Sequence, residues 1–278
     1  MEPVAAIVVI GLAILAVAVA IIWGRSARSD DGDGTGSRVL VAMADPATAP
    51  ALGALALSVA VRDQGRISAI HVVTSEDIEA ARDRIATLTQ GSQALAAEYG
   101  LDFSGGWRVD ASVADGILHL VLQHDATLLI VGWPEPGADL EAATLGPVLT
   151  SAPVPVLVTR VKSFEWDHVE LHVPSEPTDD DLAASARLAT RTAERLGASR
   201  NVTVTRSTGE LPTSLGANGV LIVPIAPQRQ AVEDAIAAAP EGVDLIFALA
   251  HGTDVRERGP LLAAAERLYD PSAVDEDD

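Results

Sequence analysis

The chain is 278 residues long, with 39 Asp+Glu against 19 Lys+Arg, a formal net charge of −20 and no cysteine. Disulfides, thiol catalysis, thiolate metal sites and a cysteine-linked lipid anchor are therefore excluded. A surface this acidic repels nucleic acid and anionic lipid, so no nucleic-acid partner is expected.

Val4–Trp23 carries no charge, and about 20 helical residues at 1.5 Å rise cover the ~30 Å hydrocarbon core of a bilayer. Glu2 precedes this run while Arg25 and Arg28 follow it. A cleaved signal peptide needs the opposite flank charge. The positive-inside rule puts the C-terminal side in the cytoplasm, with Trp23 at the interface. Residues 1–24 are thus expected to be a single-pass membrane anchor. Gly11 and Ala13, Ala16, Ala18 and Ala20 give it small residues suited to close helix packing. Residues 25–37, ending SDDGDGTGS, read as a tether of the flexible kind. Its glycines precede a strand instead of following one, so they are not a phosphate loop.

From Arg38 the elements alternate: strand Val39–Ala44, helix Ala51–Arg62, strand Ile67–Thr74, and a long helix Glu76–Tyr99 between Ser75 as N-cap and Gly100. A weaker strand, Phe103–Val109, is interrupted by Gly105 and Gly106. Helix Val113–His124 follows, capped by Ser112. The stretch from Thr127 to Val161 then supplies a buried strand (Thr127–Val131), a Gly/Pro loop, a short helix (Thr144–Ser151) and a second buried strand (Val154–Val161). Short, β-branched, unalternated runs are what a parallel strand covered on both faces looks like. The fold class expected for residues 38–162 is α/β, an open parallel five-stranded sheet with helices on both faces.

Residues 163–278 alternate again, less regularly. Strands are expected at His168–Val173, Asn201–Arg206, Gly219–Pro224 and Asp244–Ala250. Helices are expected at Asp179–Leu196 with Gly197 just beyond its end, at Gln228–Ala238 and at Pro260–Tyr269, before an acidic tail, Asp270–Asp278. Asp179–Asp181 reads as N-terminal capping and dipole complement, not a metal cluster. The pattern is that of a second, degenerate copy of the first unit.

The order and lengths of these elements, and the ending LGPVLTSAPVPVLVTR, resemble the universal stress protein family over Arg38–Val161. The resemblance implies an adenine-nucleotide groove. Asp45, just past the first strand, matches the acidic position that faces the adenine. Gly132, Gly137 and Gly146 fall where the glycine loop and the following helix would hold phosphate. The family's grip depends on closely spaced glycines and on Gly and Ser N–H donors at a helix N-terminus. Here Gly137 follows Gly132 by five residues, not three, and Gly146 is followed by Pro147, which has neither N–H nor hydroxyl. Trp133, Pro134 and Pro136 add bulk and stiffness, while Glu135, Asp139 and Glu141 bring negative charge. Each lost charge-assisted bond costs on the order of 1.5–3 kcal/mol, enough to take micromolar binding to millimolar. No cofactor is therefore expected; ATP or another adenine nucleotide is the alternative.

Six histidines are present, with no G-x-S-x-G or H-E-x-x-H beside them. His168 and His172 share a strand face without a completed ligand set; His119 and His124 point apart on one helix; His251 follows the last strand. No catalytic or metal residues are assigned. Family members resembling this chain occur beside or fused to membrane transporters and dimerise through their last strand. The resemblance thus implies a non-catalytic regulatory or assembly module on the cytoplasmic face, acting on a transporter or channel. It also implies a homodimer or an intrachain pseudo-dimer using the Val154–Val158 edge. A nucleotide sensor is the alternative function. Finally, Lys162 is the only lysine, and the Asp-rich, Lys-poor composition resembles proteins of salt-accumulating halophiles, where molar cations shorten the Debye length to ~3 Å.

Overall fold

The computed structural model describes residues 36–74, 78–133, 140–174, 179–209, 211–212, 215, 218–227, 230–231, 234–235 and 243–251. Residues 4–23, the expected anchor, lie outside this set, as do Ser75 and the expected helix Pro260–Tyr269. Among the described residues no helix is long and apolar enough to cross a membrane.

The elements come in the order β1 (Arg38–Ala42), α1 (Ala49–Ala60), a 3-10 turn (Val61–Asp63), β2 (Arg66–Val73), α2 (Ile78–Glu98), β3 (Asp102–Val109), α3 (Val113–Gln123), β4 (Leu128–Gly132), α4 (Leu140–Ser151), β5 (Val156–Arg160), β6 (His168–His172), α5 (Asp180–Arg200), β7 (Thr203–Ser207), β8 (Gly219–Pro224) and β9 (Asp244–Leu249). Local signals explain the better-defined ends. Ser112 Oγ accepts the Asp115 N–H at 3.0 Å to start α3, and Asp179 Oδ1 accepts the Leu182 N–H at 2.7 Å to start α5. Gly100, at φ +66°, ends α2 in the left-handed conformation that glycine adopts freely.

The expected five-stranded parallel sheet proves to be half of something larger. All nine strands form one sheet, ordered β3-β2-β1-β4-β5-β9-β8-β6-β7. Every pairing is parallel except β5 with β9, which is antiparallel and centred on Val158 opposite Phe247. The strand edge expected to serve dimerisation is thus occupied from within the chain. Read outward from this seam, β9-β8-β6-β7 repeats β5-β4-β1-β2; β3 has no counterpart among the described strands. Because the halves run in opposite senses, their C-terminal strand ends lie at opposite ends of the sheet.

Two apolar layers cover the sheet. Val39, Val41, Ile130, Leu157, Ile246, Ile222, Val169 and Leu171 face α1, α2 and α5. Leu40, Leu129, Val131, Val156, Val158, Phe247 and Leu221 face α3 and α4. The alternation along each strand with burial on both sides is why these strands lack an alternating polar pattern in sequence. α1 has no charged residue and is buried almost all round between the sheet, α2 and α5. Three expectations shift. Gly105 and Gly106 do not interrupt β3. α5 passes through Gly197 and stops at Arg200, with Asn201 taking the left-handed position at φ 54°. Helix α4 starts at Leu140, not Thr144.

Candidate functional site

In an open α/β sheet, ligands sit beyond the strand C-termini where the strand order reverses. In the first half that point lies between β1 and β4, paired through Ala42 opposite Val131. It brings the β1–α1 loop, with Asp45, beside the end of β4, with Gly132. Asp45 is exposed, but its carboxylate is engaged locally. Its Oδ1 accepts the Ala47 N–H at 2.9 Å, and its carbonyl accepts the Thr48 and Ala49 N–H groups at 3.2 and 3.0 Å. This is an Asx-type turn that launches α1. The preceding carbonyls are engaged as well. His71 Nδ1 donates to the Met43 carbonyl at 2.9 Å, and the Arg84 guanidinium to that of Ala44 at 2.9 Å.

The glycines are not used as a phosphate cradle would use them. Gly132 has an ordinary negative-φ backbone, and a Cβ there would meet only Leu52 Cδ1 at 3.6 Å, so alanine would fit. The next residue is tied down through its backbone, Trp133 N–H to the Thr159 carbonyl at 2.6 Å, and its indole packs on the α3–α4 layer. Gly137 lies outside the described residues. Gly146 is the seventh residue of α4. Its N–H is therefore within reach of a carbonyl one turn back and is not one of the orphan donors of a helix start. Thr150 Oγ1 donates to the Gly146 carbonyl at 3.0 Å. Of the four residues singled out in sequence, Asp45 and Gly132 come to neighbouring strand ends, and Gly146 is in a helix interior.

Three polar clusters escape the sequence reading. At the end of β3, Asp110 Oδ2 receives Arg108 Nε at 2.8 Å and His119 Nδ1 at 2.7 Å. Burial works against its ionisation, but these two partners and the Ala111 N–H prevail and hold its carboxyl below the usual range. In β6, His168, Glu170 and His172 share one face. Glu170 receives the Thr205 hydroxyl and, at 3.3 Å, His168 Nε2. Despite burial, these donors and Ser207 keep its carboxyl ionised below the usual range. His172, buried and 3.3 Å from Ser207 Oγ, is held below the ordinary 6.5 by desolvation, against the pull of Glu170. At the seam, buried Asp244 accepts Trp166 Nε1–H at 2.7 Å and the Lys162 N–H at 2.9 Å. The strand alternation in HVELH, which puts Glu170 between the two histidines, was the one available signal for the second cluster. Among the described residues no group of three His, Asp or Glu could hold a metal ion.

No family model matches the chain, and no curated protein matches it. Solved structures match in fold. The cytoplasmic domain of a prokaryotic cation chloride cotransporter aligns at a TM-score of 0.53 with 13% identity, over 80% of this chain and 99% of that one. A protein of unknown function from Pseudomonas aeruginosa aligns at 0.55 with 15% identity, over 84% and 98%. A structure assigned to the universal stress proteins, also from Pseudomonas aeruginosa, aligns at 0.55 with 13% identity, over 84% and 98%. At such identities the likeness is one of fold: this chain has a universal-stress-protein-like α/β architecture.

Proposed function

We propose that the chain is a non-catalytic regulatory or assembly module, held to the cytoplasmic face of the membrane by residues 4–23 and acting on a membrane transporter or channel. The observation that carries this reading is the alignment with a cotransporter's cytoplasmic domain along 99% of that domain's length. It is supported by the state of the β1–β4 crevice, where Asp45 is committed to a turn and Gly146 to a helix interior. On this reading the nine-stranded sheet is a preassembled pseudo-dimer of two related units, offering its surface to that partner. Affinity capture of the full chain from detergent-solubilised membranes at its native salt tests the proposal. Recovery of a transporter or channel subunit is the expected result, and recovery of no membrane partner would overturn it. Calorimetric titration with ATP, ADP, AMP and cyclic dinucleotides separates the sensor alternative. Binding tighter than ~100 μM that disappears in Asp45→Ala would favour a nucleotide sensor, because one key polar contact carries 1.5 kcal/mol or more.

A further inference from the structure

Strand β3 is an edge without the usual protections of an edge. It pairs with β2 in unbroken register from Asp102 to Val109, contains no proline, and has no buried residue. A regular, exposed edge of this kind is a template for another strand. The opposite edge, β7, is only five residues long and reads TVTRS. The large hydrophobic side chains exposed among the described residues are Tyr99, at 56%, and Val109, at 37%. Tyr99 stands just before β3 and Val109 is its last residue. The flank of α2 around Thr89, which packs on Gly105, presents exposed and uncharged Ala86, Gln90, Gln93 and Ala97.

Hydrogen bonding to β2 fixes how a further strand can join. The Asp110 N–H donates to the Val73 carbonyl at 3.1 Å. In a parallel ladder the groups turned toward one neighbour recur at every second residue. The even-numbered residues of β3 therefore face β2, and the N–H and C=O groups of Phe103, Gly105 and Trp107 point off the sheet. An antiparallel copy of β3 must then set odd residues opposite odd ones. With Gly105 on the twofold axis, Phe103 falls opposite Trp107, Asp102 opposite Arg108 and Leu101 opposite Val109. About six main-chain hydrogen bonds close this register. Asp102 already holds Arg66 at 2.7 Å, and Arg108 holds Asp110 at 2.8 Å, so the four charges alternate in sign across the join. Moving the axis to Ser104 puts Asp102 opposite Gly106, and moving it to Gly106 sets Asp102 against Asp110, a repulsive pair.

We propose that two copies of this chain join antiparallel through their β3 edges, with Gly105 on the twofold axis, extending the nine-stranded sheet from one molecule into the next. The occupant is a second copy because β3 complements itself in charge and in its aromatic pair, which is what an isologous contact requires.

The chain has no cysteine, so Ser104→Cys and Gly106→Cys report the register in the full chain. A Cβ at Gly106 meets nothing within 4 Å. The variants are oxidised mildly in detergent at ~1 M KCl, which screens the repulsion between two acidic molecules. Residue 104 of one copy and residue 106 of the other form a non-hydrogen-bonded pair, with Cα atoms about 4.5 Å apart and within disulfide reach. Like positions lie on a diagonal, about 7–8 Å apart. An equimolar mixture of the two variants is therefore expected to form intermolecular disulfide about tenfold faster than either variant alone. Adding Val109→Lys to both should slow the mixed reaction about tenfold, since an edge lysine opposes strand addition; thermal melting confirms that each variant is folded. A mixture that reacts no faster than the single variants, or a rate indifferent to Val109→Lys, would overturn the proposal.

Discussion

The two halves of the sheet solve the same packing problem under different covers. β1 and β6 each pair on one side with the strand after their crossover helix and on the other with a later strand. Leu40 sits opposite Ser68 and Leu129, and Glu170 opposite Thr205 and Leu221. The two positions are equivalent in register and face. Leu40 is completely buried beneath α3 with Ile117 and Val121. Between β7 and β8 the described residues contain no helix, and there the same sheet position holds a carboxylate ringed by Thr205, Ser207 and His168. What covers a strand decides whether its side chains are hydrocarbon or a satisfied polar network.

Exchanging the two side chain types breaks or upholds that comparison most sharply. Leu40→Glu places an unpaired carboxylate in a closed apolar layer and is expected to cost about 4 kcal/mol or more. Glu170→Leu removes an acceptor from hydroxyls that can turn to water and is expected to cost about 1 kcal/mol or less. Urea midpoints of the two variants measure the difference; comparable losses would show that the two positions are not covered differently.

The seam is the next most sensitive region. Asp244→Ala leaves the buried Trp166 indole N–H and the Lys162 amide without an acceptor, at an expected cost of about 2–3 kcal/mol. Asp244→Asn, which keeps one acceptor oxygen, should lose less. If the alanine variant unfolds at the parental urea concentration, Asp244 does not hold the β5–β6 connection.

Within the first half alone, α1 lies close enough to α2 to require Gly53. A Cβ there would stand 1.8 Å from Ser92 Oγ and 2.8 Å from Ser92 Cβ. The second of these cannot be relieved by rotating the hydroxyl. Gly53→Ala is expected to cost about 1–3 kcal/mol, and Ser92→Gly in the same chain should recover most of it. A thermal melt of the double variant that tracks the single one would refute the contact.

Much of this architecture was legible from residue patterns, for physical reasons that also mark where legibility ended. All nine strands fall within two residues of where the sequence pattern places them. Ser112 and Asp179 announced their helices because capping is local chemistry. The fusion of both halves into one sheet was not legible, because strand pairing across the seam joins Val156–Arg160 to Leu245–Leu249, some ninety positions apart, and apolar runs do not encode whom they pair with. At the candidate site, Pro147 marked a departure from the glycine–serine helix start of the family, but the helix boundary was not legible: α4 begins at Leu140, about a turn early, which puts Gly146 within the helix. The Asp110 cluster was invisible because Arg108 and His119 meet only when α3 folds back against the sheet.

Protonation gives the finest test, since each half holds one histidine and one carboxylate displaced in the same direction. His124, at the end of α3, is held below the ordinary 6.5 by burial alone. His172 is lowered by burial but pulled back by the Glu170 charge and by a Gly209 backbone bond. For a depressed histidine the unfolded chain binds the proton first. Its contribution to stability is therefore complete above about 6.5 and is lost as pH falls through the lower folded value. Asp110 and Glu170, depressed from 3.8 and 4.5, add a second loss at more acid pH. Stability should thus decline in two steps on acidification, the first shallow. His124→Gln and His172→Gln should each flatten the first step, because burial lowers both imidazoles. Glu170→Gln should lower the His172 midpoint further, by removing the one charge that favours the imidazolium. NMR titration of the histidine ring protons, alongside urea midpoints from pH 7.5 to 5, reads both. A His172 midpoint that rises in Glu170→Gln would mean that the Glu170 charge does not act on the imidazole.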